Sequence, residues 1–203
     1  MKYGELTLGQ IEAIVNKLGG MEGAHRFLSG ELEVNEAGRQ FKVWKTIKIG
    51  TGLKIAKDFR RVLSSGGIDV TSWTLGLFGS PAYTMVDKET EVDLVKVAVA
   101  ELGFKEGARR DQLYERAREV GLELCPPEVG PQLRLQYKNQ PKDECVFVGM
   151  EPIARETGSM GVFTVKCDAL RYLWLDSYFI ASEDHYNSPF RPELAWVFVR
   201  PRK

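Results

Sequence analysis

The hydrophobic positions at the start of the chain recur with the period of a helix. Leu8, Ile11, Ile14, Val15 and Leu18 share one face, because residues three and four apart overlie one another on a helix. Thr7-Leu8-Gly9-Gln10 precedes them in capping-box order, a hydroxyl and an amide that can satisfy each other's orphan backbone N–H groups. The spacing predicts a helix over 8–18, a stop at Gly19-Gly20 and a second short helix over 21–28. Together these make a helical hairpin.

The period then changes from 3.6 to two. Phe41, Val43, Ile47 and Ile49 fall on one side of an extended segment over 40–49, with Lys42, Trp44, Thr46 and Lys48 on the other and Lys45 out of pattern. That alternation predicts a half-buried strand with a basic, aromatic outer face. Gly50-Thr51-Gly52 breaks it. Ile55, Phe59, Val62 and Leu63 next form a helical stripe with Lys54, Lys57 and Arg61 opposite. Thr71 can cap a short helix to Phe78. Glu89, Glu91 and Asp93 read as the acidic first turn of a helix ending at Leu102, and Leu113, Ala117 and Val120 as the inner face of another over 110–120.

Beyond Pro126, Pro127 and Pro131 the runs 133–137, 145–148, 162–165, 173–175 and 196–199 are short, apolar and separated by turn residues, which reads as strands. The expected fold is therefore α+β, with a helical N-terminal two thirds and an antiparallel β-sheet in the C-terminal third. It divides into an N-terminal helical hairpin (1–34), a mixed strand and helix region (35–137) and an antiparallel β region (138–203). The last two become one continuous domain if the Pro-rich join is not a linker.

Charge adds the sharpest signal. The chain sums to zero, yet residues 39–61 hold eight basic side chains against one acid, Asp58, while 87–128 hold eleven acids against seven bases. Such asymmetry creates local fields that attract a partner of opposite sign. With 203 residues and 43% hydrophobic content the chain can build a core, so disorder is not expected. No apolar run approaches the roughly 20 residues of a membrane span, and the N-terminus lacks the pattern of a signal peptide. The expected location is cytoplasmic. Cys125, Cys145 and Cys167 form neither an even set nor a Cys-x-x-Cys pair, and only two histidines are present; neither a disulfide framework, a metal site nor a cofactor is expected.

The blocks TLGQIEAIVNKLGGMEGAHRFLSGEL, FKVWKTIKIGTGLK, EVDLVKVAVAELGFKEGA and GLELCPPEVGPQLRLQY resemble a group of uncharacterised bacterial hypothetical proteins of this size. The resemblance implies a bacterial origin and a shared fold, and no activity or site.

Candidate chemistry follows from the charge. Lys42, Trp44, Lys48, Lys54, Lys57 and Arg61 are the candidate binding residues: cations neutralise phosphates, and a tryptophan between lysines can stack on an unpaired base. The opposing reading is a solvated face with Trp44 covered. The leading expectation is a non-enzymatic binding or regulatory protein that engages a nucleic acid or another polyanion. The second is a small hydrolase or metal-dependent enzyme using Asp176, Glu183, Asp184 and His185 as general base or ligands. The third is a homo-oligomer in which the basic segment docks on the acidic 87–128 of a second copy. Three further patterns are weaker. Gly50-Thr51-Gly52 could hold one phosphate at a helix start. Cys125 or Cys145 could pair with His185. Helices over 89–102 and 110–120 with 127–135 would make a winged three-helix unit carrying Arg134 and Lys138.

Overall fold

A computed structural model describes residues 6–31, 41–53, 56–155, 158–180 and 188–202. The chain divides into two compact units, Met1–Arg39 and Gln40–Lys203.

The first unit contains helix α1, Leu8–Lys17, and helix α2, Gly20–Leu28. The capping box forms: the Thr7 N–H donates to Gln10 Oε1 at 2.8 Å, and the Gln10 N–H donates to Thr7 Oγ1 at 3.3 Å. No residue of α1 is buried.

The second unit is built on one mixed sheet. Its elements are strand β1 (Lys45–Ile49), helix α3 (Ala56–Ser65), strand β2 (Ile68–Val70), helix α4 (Ser72–Phe78), strand β3 (Thr90–Ala98), a 3-10 turn (Val99–Leu102), helix α5 (Arg110–Glu119), helix α6 (Val129–Gln136), and strands β4 (Cys145–Val148), β5 (Ile153–Ala154), β6 (Met160–Cys167), β7 (Leu173–Ile180) and β8 (Ala195–Arg200). The strand order is β1-β3-β8-β4-β6-β7-β2, with β5 paired to β6. Most pairs are antiparallel, but β4 runs parallel to β8 and β2 parallel to β7. The two faces carry separate apolar clusters. Phe59, Leu63, Leu77, Phe78, Val129 and Leu133 of α3, α4 and α6 cover one; Leu113, Tyr114 and Ala117 of α5 cover the other, against Val95, Val97, Trp196 and Phe198.

This corrects the expected fold class. Helices do not dominate the first two thirds, because three of the strands lie there, and the sheet is neither confined to the last third nor purely antiparallel. The segment 90–98, expected as helix, is a strand. Val92, Val95 and Val97 are β-branched, and Glu89, Glu91 and Asp93 recur at a spacing of two instead of filling a helical first turn; β-branching favours the pleated surface. The winged three-helix unit goes with it. Residues 133–137, expected as strand, close helix α6. Pro131 sits in that helix's first turn, where a missing N–H breaks no helical bond.

Helix α6 has a second role. The Gln136 side chain accepts from the Lys48 N–H at 3.0 Å and donates to the Lys48 C=O at 2.8 Å. Its amide thus stands where the next strand's peptide would pair with β1, the end strand of the order, and blunts an edge that would otherwise invite association.

Candidate polyanion-binding surface

The basic segment is split by the fold. Its strand half is already matched. Lys48 Nζ donates to Glu89 Oε1 at 2.8 Å, and this hydrogen bond, with the negative charge of Glu89, raises the lysine pKa. Across the same pair of strands Thr46 faces Asp93, and the Thr46 hydroxyl donates to its carboxylate at 2.6 Å. Arg202 grips Asp93 and Glu91 together, at 2.8 Å and 3.2 Å. Hydrogen bonds from Arg202 and then Thr46 hold the Asp93 carboxyl down at about 2. Three of the eleven acids in 87–128, Glu89, Glu91 and Asp93, are thus paired within the chain.

Trp44 does not present its ring freely. It is half-buried, packs edge-on to Tyr137 with centroids 4.9 Å apart, and has the Lys96 ammonium 4.9 Å and the Lys45 ammonium 5.6 Å from its ring centre. Lys96 also meets Glu144 at 2.6 Å. Lys42 is exposed just before β1, and Lys54 lies outside the described residues.

The helix half is different. On α3, Phe59 and Leu63 are fully buried, whereas Lys57, Arg60, Arg61 and Ser64 are exposed. Spacings of three and four place these four on one stripe. Arg61 approaches Asp58 only at 3.5 Å and keeps 76% of its side chain in solvent, so this pair neutralises little. At the far end of the stripe a groove of about 440 Å³ is lined by Arg60, Ser64, Ile68, Asp69, Leu75 and Tyr172. Tyr172 is 55% exposed. Arg60 and Tyr172 are the residues that the alternation in the sequence did not single out. The 3.6-residue spacing of Lys57, Arg60, Arg61 and Ser64 was the available signal.

The Gly50-Thr51-Gly52 turn binds an anion of the protein's own. The Gly50 N–H donates to Glu128 Oε1 at 2.8 Å, the Val86 N–H donates to Glu128 Oε2 at 3.0 Å, and Gln132 donates to both Glu128 and Thr51. Glu128 is 1% exposed. A buried carboxylate from the N-cap residue of α6 therefore occupies the amide that an external phosphate would need.

Of the proposed catalytic group, Glu183, Asp184 and His185 lie outside the described residues. Asp176, on β7, is half-buried and committed: Lys166 Nζ is at 2.6 Å, the Thr71 hydroxyl at 2.9 Å and the Ser177 N–H at 2.8 Å. Burial works against its charge, but these donors, Lys166 foremost, win and hold the carboxyl below its usual range. Burial also pushes up the Cys125 thiol strongly and the Cys145 thiol to about 11, which leaves little nucleophilic thiolate at neutral pH. Among the described residues no three His, Cys, Asp or Glu side chains converge as a metal site, and no helix is long and apolar enough to cross a membrane.

The fold is that of an α+β protein with an eight-stranded mixed sheet, and the exposed side chains of Lys57, Arg60 and Arg61 lie on one of its helices. Comparison with protein-family models, curated proteins and solved structures finds no match for the chain.

Proposed function

We propose that this is a non-enzymatic binding protein that engages a nucleic acid or another polyanion through the exposed stripe of α3. The observation that supports the reading is the contrast between the two halves of one basic segment. Lys48 on β1 is spent on Glu89, whereas Lys57, Arg60 and Arg61 stand together on a solvent face anchored by Phe59 and Leu63. Three cations on a rigid helix present charge at a spacing a phosphate backbone can follow, and Tyr172 at the groove offers a ring beside them.

The test is a titration of the full chain with fluorescent oligonucleotides at several salt concentrations. Three neutralised phosphates give a log–log slope of roughly −2 on a single strand, and each cation removed reduces the magnitude of that slope by about 0.7. The double variant K57E/R61E is expected to lose most of the affinity while keeping its thermal unfolding transition. Absence of binding at low salt, or an affinity that ignores salt, would overturn the reading.

A further inference from the structure

On the other side of α4 from the groove-lining Leu75 lies a second aromatic feature. Trp73 is 56% exposed and Phe179, at the end of β7, is 45% exposed; their ring centroids are 5.8 Å apart and their planes meet at 54°. Two large rings left in water on a helix and a strand represent apolar area that folding did not bury. Beneath the indole lies the Arg155 guanidinium, 4.4 Å from the ring centre. It can lie there because residue 76 is glycine: a Cβ at that position would come within 2.5 Å of Arg155 Nε. The arrangement costs the protein something, since Arg155 Nε and Nη1 are sealed from solvent with no hydrogen-bond partner among the described residues, and buried donors left unmade are destabilising. Neither the exposed rings nor the unsatisfied guanidinium is explained by packing.

A cation held against one face of an indole draws π density toward it and suits the ring to stack with an electron-rich partner. We infer that Trp73, backed by Arg155 and flanked by Phe179, is a stacking platform for an unpaired purine base, and that the ligand is single-stranded nucleic acid. The inference rests on the polyanion reading above and narrows it: α3 supplies the charge and the α4–β7 platform the preference for unpaired bases. A duplex, whose bases are already stacked, cannot use it.

The experiment compares the full chain with W73A, W73F and K57E/R61E, each binding oligodeoxyadenylate, oligoadenylate and a DNA hairpin duplex across a salt series. W73A is expected to weaken binding to both single strands by about 5- to 150-fold with the salt slope unchanged. W73F should retain most of the affinity, and duplex binding should not move. The two oligoadenylates distinguish DNA from RNA as the source of the base. Unchanged single-strand affinity in W73A, or an equal loss on the duplex, overturns the platform while leaving the charged stripe standing. A loss of self-association in W73A in place of a loss of base binding overturns it in favour of a protein interface. Failure of the unsubstituted chain to bind any oligonucleotide removes the polyanion reading itself.

Discussion

Single side chains decide which charges this protein keeps for itself. Glu128 is the clearest case, a buried carboxylate that holds the Gly50 and Val86 amides and the Gln132 side chain. Replacing it with Gln puts an NH2 where an acceptor is needed and leaves one part-buried N–H without its acceptor. Loss of about 1–3 kcal/mol of stability is expected in chemical denaturation. Gly50 is constrained in another way: its φ is +69° and a Cβ would fall 2.2 Å from the Lys88 carbonyl oxygen. Gly50→Ala should therefore destabilise by more than the roughly 1 kcal/mol of an ordinary left-handed alanine, and a matching loss in Gly67→Ala, where no atom lies within 4 Å, would remove the close approach as the cause. Asp93 gives a pH signature. Its folded pKa, about 2, lies below the unfolded carboxylate value, so its contribution is complete above about pH 4 and is lost as pH falls through about 2. Asp93→Asn should flatten the fall in stability over that window. A melting-temperature profile unchanged by the substitution would show that Arg202 and Thr46 do not stabilise the ionised form.

At the scale of elements, β1 is paired with β3 on one side and met by a helix on the other. Gln136 replaces a missing strand at Lys48, so Gln136→Ala should speed hydrogen exchange at the Lys48 amide and cost about 1 kcal/mol, since water can take over an exposed bond. The same element shows what the sequence could and could not reveal. The α1 and α4 caps at Thr7 and Thr71, α5 and the four strands β4, β6, β7 and β8 were legible from local pattern, because caps and periodicity act within a few residues. β3 was not. Its acids look like a helical first turn until the partner Lys48 and Arg202 are seen across the ladder, 41 and 111 residues away from Glu89 and Glu91. The strand-like reading of 133–137 failed for a related reason, as Leu133 and Arg134 are buried by tertiary contacts and not by alternation.

Across the whole molecule, the segmental charge that dominates the sequence describes the surface only after internal pairing is subtracted. Residues 39–61 hold a surplus of cations, yet β3 and Arg202 form a network that absorbs Lys48, and α3 packs on β2 while β1 stands at the other end of the strand order. What survives as a candidate site is one helical stripe, and linear charge plots have no means of distinguishing a strand opposite acids from a helix facing water. Burial is likewise uneven: every described residue of the two apolar clusters belongs to Gln40–Lys203. The two helices of the first unit, ten and nine residues long, fall below the roughly 12–15 residues at which isolated helices become even marginal in water. A chain beginning at Gln40 is therefore expected to unfold in one cooperative transition and to keep the salt-dependent oligonucleotide binding proposed for α3, whereas residues 1–39 alone should show little helical circular dichroism at 25 °C. A non-cooperative melt of the shortened chain would mean that the sheet and its two apolar clusters do not suffice for a fold, and that the hairpin is part of what stabilises them.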